Sequence, residues 1–187
     1  MIRVLIADDS GLTCDAMRTI LDREEGIYVV GCARTLEETE FLLPHANFLL
    51  VGPSLEGESI VDLVRRIHSK QPEVRVLVVG VRNQPEMITQ YIEAGAMGYV
   101  LRQESMSTLV EKIRAAHAGQ AIVAPDVTLH LMRRLTQLAQ HVADLQGQPR
   151  RIHASRILGR CIRISRGMQR IVLHQFERDL RSRRHRF

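Results

Sequence analysis

The sequence of 187 residues has few cysteines, few aromatic residues and no long apolar run. Its cysteines, Cys14, Cys32 and Cys161, are odd in number and far apart, which argues against a disulfide framework and predicts reduced thiols. Aromatic residues make up 4% of the chain and tryptophan is absent, which argues against nucleic-acid binding by base stacking. No segment approaches the ~18 apolar residues of a membrane span, and charge follows too early for a signal peptide, so we expect a cytoplasmic protein.

Positive and negative charges are unevenly distributed along the chain. Residues 1–149 contain 14 Lys and Arg against 19 Asp and Glu, a net charge of about −5. Residues 150–187 contain 12 Arg, no Lys, and only Glu177 and Asp179, a net charge of about +10. Such a split indicates a separate C-terminal segment with an acidic partner.

A short apolar run, Phe48–Val51, lies at the centre of the predicted fold. It is too short for a helix and ends abruptly at Gly52, which predicts a strand buried on both faces of a parallel sheet. Four further apolar runs are predicted as strands: residues 3–7, 27–33, 74–79 and 98–101. Five strands alternating with five helical segments indicate a doubly wound α/β domain. Ligands of such sheets bind beyond the carboxyl ends of the strands, so we expect the functional site near Gly52.

A further helix is predicted to begin at Pro125. Its apolar residues are spaced 4, 3, 4 and 3 apart: Leu131, Leu135, Leu138, Val142 and Leu145. This is the spacing of a heptad seam, although it is shorter than the three to four heptads that indicate a coiled coil. Two interpretations follow, a connector helix that packs on its own domain and a helix that joins two copies. The predicted organisation is a domain at 1–120, a connector helix at 121–147 and an Arg-rich tail at 148–187.

Several stretches resemble the receiver (CheY-like) domain of bacterial response regulators. They are RVLIADDS at residues 3–10 and AGAMGYVLR at residues 94–102, and the AIVAP connector at 121–125 is similar to that of the LuxR/NarL-type subfamily. The resemblance covers residues 2–146. It implies a flavodoxin-like, five-stranded parallel sheet of order 2-1-3-4-5, followed by a connector helix and a basic, partly helical tail. It also implies a non-enzymatic signalling protein of a two-component system that regulates transcription.

The resemblance further implies a phosphorylation site with a fixed set of residues. An acidic pair holds Mg²⁺, an aspartate accepts the phosphoryl group, and a hydroxyl and a lysine complete the site. Asp8 and Asp9 match the acidic pair, whereas Gly52 stands at the acceptor position. Gly80 stands at the hydroxyl position and Arg102 at the lysine position. Because glycine has no nucleophile, we expect a pseudo-receiver that is not phosphorylated on aspartate in the usual way. Any Mg²⁺ is expected to bind weakly, and the alternative role for one of the two carboxylates is an ion pair with Arg102.

The Arg-rich tail has three interpretations. As a degenerate helix-turn-helix, it would place Arg163, Arg166 and Arg170 near DNA. As a basic tail, it would bind phosphates without reading sequence. The third interpretation is decayed or out-of-frame sequence, because arginine without lysine is an unusual composition; the family's Leu-Thr-x-Arg-Glu signature is also missing before the tail. The expected partners are DNA through this tail and, through the receiver surface or connector helix, other signalling proteins or a second copy. The alternative function is a protein-interaction module without DNA binding.

Overall fold

The computed structural model describes residues 1–53, 55, 58–120 and 123–145, without the side chains of Ala143 and Leu145. Residues 1–130 form one compact unit, and residues from 131 onward belong to a second unit, described only as far as 145. The predicted boundaries at 120/121 and 147/148 stay predictions. Within the described residues, no helix combines the length and apolar character needed to cross a membrane.

Strands and helices alternate along the described chain. The strands are β1 (Ile2–Ala7), β2 (Ile27–Ala33), β3 (Phe48–Val51), β4 (Arg75–Val81) and β5 (Gly98–Leu101). The helices are α1 (Gly11–Leu21), α2 (Leu36–Leu42), α3 (Ile60–Lys70), α4 (Pro85–Glu93), α5 (Met106–His117) and α6 (Pro125–Leu145), with a 3₁₀ turn at Leu43–His45.

The strands form one parallel sheet in the order β2-β1-β3-β4-β5, which confirms the predicted fold. Strand β3 lies in the middle, where Leu50 is paired with Ile6 of β1 on one side and Leu77 of β4 on the other. All four residues of β3 are fully buried. A strand that is covered on both faces has no reason to alternate apolar and polar residues, which explains the unbroken apolar run.

The turn after α4 requires glycine for two reasons. Gly95 has a φ of 113°, a conformation that side-chain-bearing residues rarely adopt. A Cβ at this position would also lie 2.4 Å from Cγ of His68 on α3. The Ala94–Ala96 stretch, which carries part of the family resemblance, is therefore needed for the packing of α4 on α3. It also directs the chain into β5, which ends immediately before Arg102.

Candidate functional site

The carboxyl edge of the sheet brings the predicted site residues to the same side of the domain. Asp8 and Asp9 follow β1, and Gly52 follows β3. Gly80 is the penultimate residue of β4, and Arg102 follows β5. Backbone hydrogen bonds extend the sheet to this edge, since the Gly52 amide donates to the Ala7 carbonyl at 2.8 Å. Parallel strands thus bring together residues that are up to 94 positions apart in sequence.

The side chain of Asp8 lies directly against Gly52. A Cβ added to Gly52 would be 1.8 Å from Oδ2 of Asp8 and 2.7 Å from its Cγ. The backbone of Gly52 does not have a positive φ, so its conformation would accept a side chain, but the Asp8 carboxyl group would have to move. The carboxyl group of Asp8 therefore occupies the volume in which the side chain of residue 52 would begin.

Asp8 is a buried carboxyl group with little electrostatic compensation. It is 6% exposed, and its Oδ1 accepts a hydrogen bond from the Ser10 amide at 2.9 Å. Burial raises the pKa of Asp8, the Ser10 hydrogen bond partly opposes this shift, and the negative charge of Asp9 adds to it. The ion pairs formed among the described residues include neither aspartate. Arg102 is exposed and forms none with them, so the ion pair considered as an alternative is not formed in the structure.

The carboxylates present do not complete a magnesium cage. Mg²⁺ prefers an octahedron of oxygens, to which a protein supplies one or two carboxylates and the remainder comes from water or a phosphate. Here the carboxyl group of Asp8 faces Gly52, which supplies no ligand of its own. Within the described parts of the chain, no group of three or more His, Cys, Asp or Glu side chains is placed to hold a metal ion. Among the described residues, this edge of the sheet thus offers Mg²⁺ the carboxylates of Asp8 and Asp9 but none from position 52.

The hydroxyl position has an unusual backbone as well as no hydroxyl. Gly80 has a φ of 72°, and the pairing of β4 with β5 shifts its register between Val78 and Val81. A Cβ on Gly80 would have room, since its nearest neighbour would be Cδ of Pro53 at 3.7 Å. The backbone nevertheless disfavours serine or threonine here. The sequence showed the missing hydroxyl but not the bulged strand that accompanies it.

A buried charge network, which the sequence analysis missed, holds the loop after β5. Lys112 of α5 is 7% exposed, and its Nζ donates to both carboxylate oxygens of Glu104 at 2.8 and 2.7 Å. The same ammonium donates to the Tyr99 carbonyl at 3.0 Å and lies 4.9 Å from the centroid of the Tyr99 ring. Glu104 Oε2 also accepts a hydrogen bond from the Leu101 amide at 2.7 Å. The only sequence signal was a lysine adjacent to an apolar helix face, which gives no partner.

Tyr99 connects this network to the start of α6. Its ring is buried, and its hydroxyl accepts a hydrogen bond from the Ala124 amide at 3.1 Å. Burial is the main cause that raises the pKa of Tyr99. Lys112, which binds Glu104 of the loop after β5, and Ala124, which precedes α6, thus both contact the side chain of Tyr99.

We expect Lys112→Met to lower the free energy of unfolding by about 2 kcal/mol, because it leaves the partly buried Glu104 carboxylate without its cation. Adding Glu104→Gln should recover part of this loss, since the two residues act as a pair. Urea unfolding measures both effects. Lys70→Met, at an exposed lysine on α3, is the control and should have little effect. If Lys112→Met loses no more stability than the control, the Lys112–Glu104 ion pair does not stabilise the domain.

These features define a class of protein, an α/β domain with paired aspartates at the carboxyl edge of a parallel sheet of order 2-1-3-4-5. A family model described as "Response regulator receiver domain" matches residues 4–114. The chain belongs to this family, whose members are signalling proteins of two-component systems and not enzymes.

Curated relatives include several response regulators. The chain is 27% identical to response regulator GacA of Pseudomonas aeruginosa over 167 residues, which cover 88% of this chain and 78% of the relative. It is 29% identical to response regulator UvrY of Escherichia coli, covering 68% of this chain and 59% of the relative. It is 26% identical to transcriptional regulatory protein LnrK of Bacillus subtilis, covering 71% and 61%. The chain thus spans between 59% and 78% of the length of these relatives.

Solved structures support the fold. The crystal structure of a LuxR-family two-component response regulator from Aurantimonas sp. SI85-9A1 matches with a TM-score of 0.64 and 23% identity, covering 73% of this chain and 99% of that one. The isolated receiver domain of RcsB from Salmonella enterica matches with a TM-score of 0.61 and 23% identity, covering 68% and 96%. At this level of identity, the similarity establishes the fold alone.

Proposed function

We propose that this chain is a pseudo-receiver that regulates transcription without phosphorylation of an aspartate at the usual position. The observation that carries this proposal is the contact between Asp8 and Gly52. The volume in which an acceptor side chain would begin is filled by the carboxyl group of Asp8, which follows the neighbouring strand β1. The site is thus occupied by its own side chain, with no acceptor at the end of β3.

The chemistry of the surrounding residues supports the same conclusion. Phosphoryl transfer to a carboxylate needs a nucleophile together with cations that neutralise the transferring group. Gly52 offers no nucleophile, and Asp8 is almost completely buried. Arg102 keeps a positive charge but not the compact ammonium of lysine. With no switch at this site, the domain would present one shape to its partners, and control would come from abundance, a ligand or a partner.

A labelling experiment tests the absence of aspartyl phosphorylation. The full chain, incubated with radiolabelled acetyl phosphate and Mg²⁺, should acquire no label that hydroxylamine releases, as it would release the phosphate of an acyl phosphate. A receiver with aspartate at the acceptor position serves as the positive control, and circular dichroism verifies the fold of each protein. Labelling of the chain that hydroxylamine releases and that disappears in Asp8→Ala would refute the proposal. Label that resists both hydroxylamine and acid would indicate a hydroxyl ester and a different site.

We further propose that the Arg-rich tail contacts DNA, with Arg163, Arg166 and Arg170 nearest to it. These residues lie outside the described part of the chain, so the support comes from charge and from the relatives. The tail carries a net charge of about +10. The match to GacA covers 88% of the chain, which is more than residues 1–147, so it includes part of the tail. This favours in-frame sequence related to that of the relative over out-of-frame sequence.

The second candidate function is a protein-interaction module that never contacts DNA. The receiver fold by itself supports this function as well as the first, because the described residues carry no DNA-reading element. Its partners would be other signalling proteins or a second copy. Tail-dependent DNA binding distinguishes the two functions.

A further inference from the structure

Two cysteine side chains contact each other behind the candidate site. Cys14 lies on α1 and is 2% exposed, and Cys32 lies on β2 and is only partly buried. The sulfur of Cys32 is 3.9 Å from the carbonyl oxygen of Cys14, and the two thiols share a hydrogen bond. Within the described residues, no further metal-ligating side chains join them to form a metal site.

The two cysteines are held together by the packing of α1 on the sheet. Cys14 belongs to the core, and Cys32 packs against the same cluster of buried residues. Disulfides in proteins join residues whose Cα atoms lie within about 7 Å of each other. Because the sulfur of Cys32 already lies beside the backbone of Cys14, little movement is needed to meet this requirement.

We propose that Cys14 and Cys32 form a reversible disulfide when hydrogen peroxide oxidises Cys32, and that this bond displaces Asp8. The Cys32 thiolate attacks one peroxide oxygen, the O–O bond breaks, and Cys32 becomes a sulfenic acid while the other oxygen leaves as water. The Cys14 sulfur then attacks that of Cys32, so that an S–S bond forms and the S–O bond breaks. The hydroxyl group leaves as a second water with the proton of Cys14. Two electrons pass from the two sulfurs to the peroxide.

The surroundings of the two sulfurs determine which of them is oxidised first. Burial raises the pKa of both thiols, and that of Cys14 reaches about 11. At Cys32, Arg18 and the Cys14 thiol oppose the rise in pKa, while Asp15 and Asp22 add to it. Cys32 is also the more accessible of the two, so it receives the oxidant, whereas Cys14 needs to reach only the neighbouring sulfur. Raised pKa values keep the pair reduced until peroxide is present.

The cysteine pair borders the backbone of Asp8 on two sides. The Asp8 amide donates to the carbonyl of Ala33, the residue after Cys32, at 3.0 Å. The Asp8 carbonyl accepts a hydrogen bond from Sγ of Cys14 at 3.4 Å. A disulfide removes the Cys14 proton and with it this second hydrogen bond. Because the carboxyl group of Asp8 fills the space beside Gly52, a displacement of Asp8 changes that contact.

Oxidation would give the domain an input that does not need an acceptor aspartate. It would act on the loop after β1, which carries Asp8 and Asp9, from the side opposite to Gly52. This use of the disulfide as an input rests on the proposed function, whereas the formation of the disulfide does not.

Thiol counting on the folded full chain tests the disulfide. The variant Cys161→Ser is used beside the unmodified chain, because Cys161 lies outside the described residues and has a thiol of its own. After treatment of Cys161→Ser with hydrogen peroxide, alkylation in urea should find both remaining thiols lost together. A tryptic digest should contain the peptide of Cys14 joined to that of Cys32, and dithiothreitol should restore both thiols.

Two further variants in the Cys161→Ser background separate the roles of the two sulfurs. Cys32→Ser should leave Cys14 reduced under the same treatment, because Cys14 is shielded from solvent. Cys14→Ala should leave Cys32 as a sulfenic acid that reacts with dimedone, because no second thiol is present to displace the hydroxyl group. Circular dichroism verifies the fold of each variant.

The effect on Asp8 is measured from the backbone amide signals of residues 8–10 in NMR spectra. These signals should shift when Cys161→Ser is oxidised, return with dithiothreitol, and stay unchanged when the variant that also carries Cys32→Ser is treated in the same way. A disulfide that leaves them unchanged would refute the displacement of Asp8.

Three other outcomes would overturn the disulfide itself. Both thiols could remain reduced in the folded chain and be lost only in urea. Cys32 could stop at the sulfenic acid although Cys14 is present, or oxidation could join two chains and not two residues of one chain. Because these assays contain neither a phosphoryl donor nor DNA, their failure leaves the proposed function untouched.

Discussion

Gly52→Asp should lower the free energy of unfolding by about 3 kcal/mol in the absence of metal and make the domain respond to Mg²⁺. The new Cβ would lie 1.8 Å from Oδ2 of Asp8, so the Asp8 side chain has to leave its position. Overpacking of this kind costs about 1–3 kcal/mol. A third carboxylate beside Asp8 and Asp9 adds repulsion between like charges in a partly buried place. The same three carboxylates would bind Mg²⁺ more tightly than Asp8 and Asp9 alone. Because a ligand that binds only the folded state stabilises that state, added Mg²⁺ should raise the free energy of unfolding of Gly52→Asp.

Variants of matched size separate the steric and electrostatic parts of this effect. Gly52→Ala adds only volume and should cost about 1–2 kcal/mol, while Gly52→Asn adds nearly the volume of aspartate without its charge. In the Asp8→Ala background, Gly52→Ala should cost much less, which corresponds to a coupling of about 1 kcal/mol or more between the two positions. Urea unfolding with and without about 10 mM Mg²⁺ provides every value. If Gly52→Ala has the same free energy of unfolding as the unmodified chain, the Asp8 side chain moves away from position 52 without energetic cost. The contact between Asp8 and Gly52 would then not exclude a side chain at position 52.

Much of the fold could be predicted because it depends on patterns that are local in sequence. The run Phe48–Val51 is apolar throughout because β3 is buried on both faces, and Gly52 ends it where the strand ends. Because crossovers between parallel strands are right-handed and connections are short, alternating strands and helices are compatible with only a few sheet topologies. The 2-1-3-4-5 strand order came from the family resemblance, not from the pattern, since alternation does not determine which strands are neighbours.

The sequence was less informative about the site, since side-chain directions there depend on distant neighbours. An absent functional group, such as the missing carboxylate at Gly52, is visible without coordinates. The position of the Asp8 carboxyl group cannot be predicted from the sequence. It depends on the space left by the missing side chain of Gly52, which is more than 40 residues away along the chain. The sequence likewise indicates the positive φ at position 80 only through the presence of a glycine there. The expected ion pair with Arg102 is not formed because an exposed, long side chain gains little from pairing.

Removal of residues 148–187 should abolish DNA binding at low salt. The truncated chain 1–147 carries a net charge of about −5, so phosphates would repel it, whereas the tail supplies 12 arginines. If about 6–10 of these contact phosphates, the affinity of the full chain should fall by about 10³–10⁵ between 50 and 200 mM salt. A titration of both proteins against several DNA sequences, repeated over this range of salt, measures the effect. Equal, weak binding by both proteins would eliminate the DNA hypothesis and leave protein interaction as the function.

Two charge-matched variants of the full chain then distinguish sequence-specific DNA binding by a helix-turn-helix from non-specific phosphate binding by a basic tail. The first replaces Arg163, Arg166 and Arg170 with alanine, and the second replaces Arg181, Arg183 and Arg184. A helix-turn-helix in the major groove requires the first set to matter more and to carry any sequence preference, since base contacts specify and phosphate contacts only position. A basic tail requires equal losses in both variants, each with a smaller salt slope and no preference among sequences. Unequal losses with a preference that survives only in the second variant would establish Arg163, Arg166 and Arg170 as the reading residues.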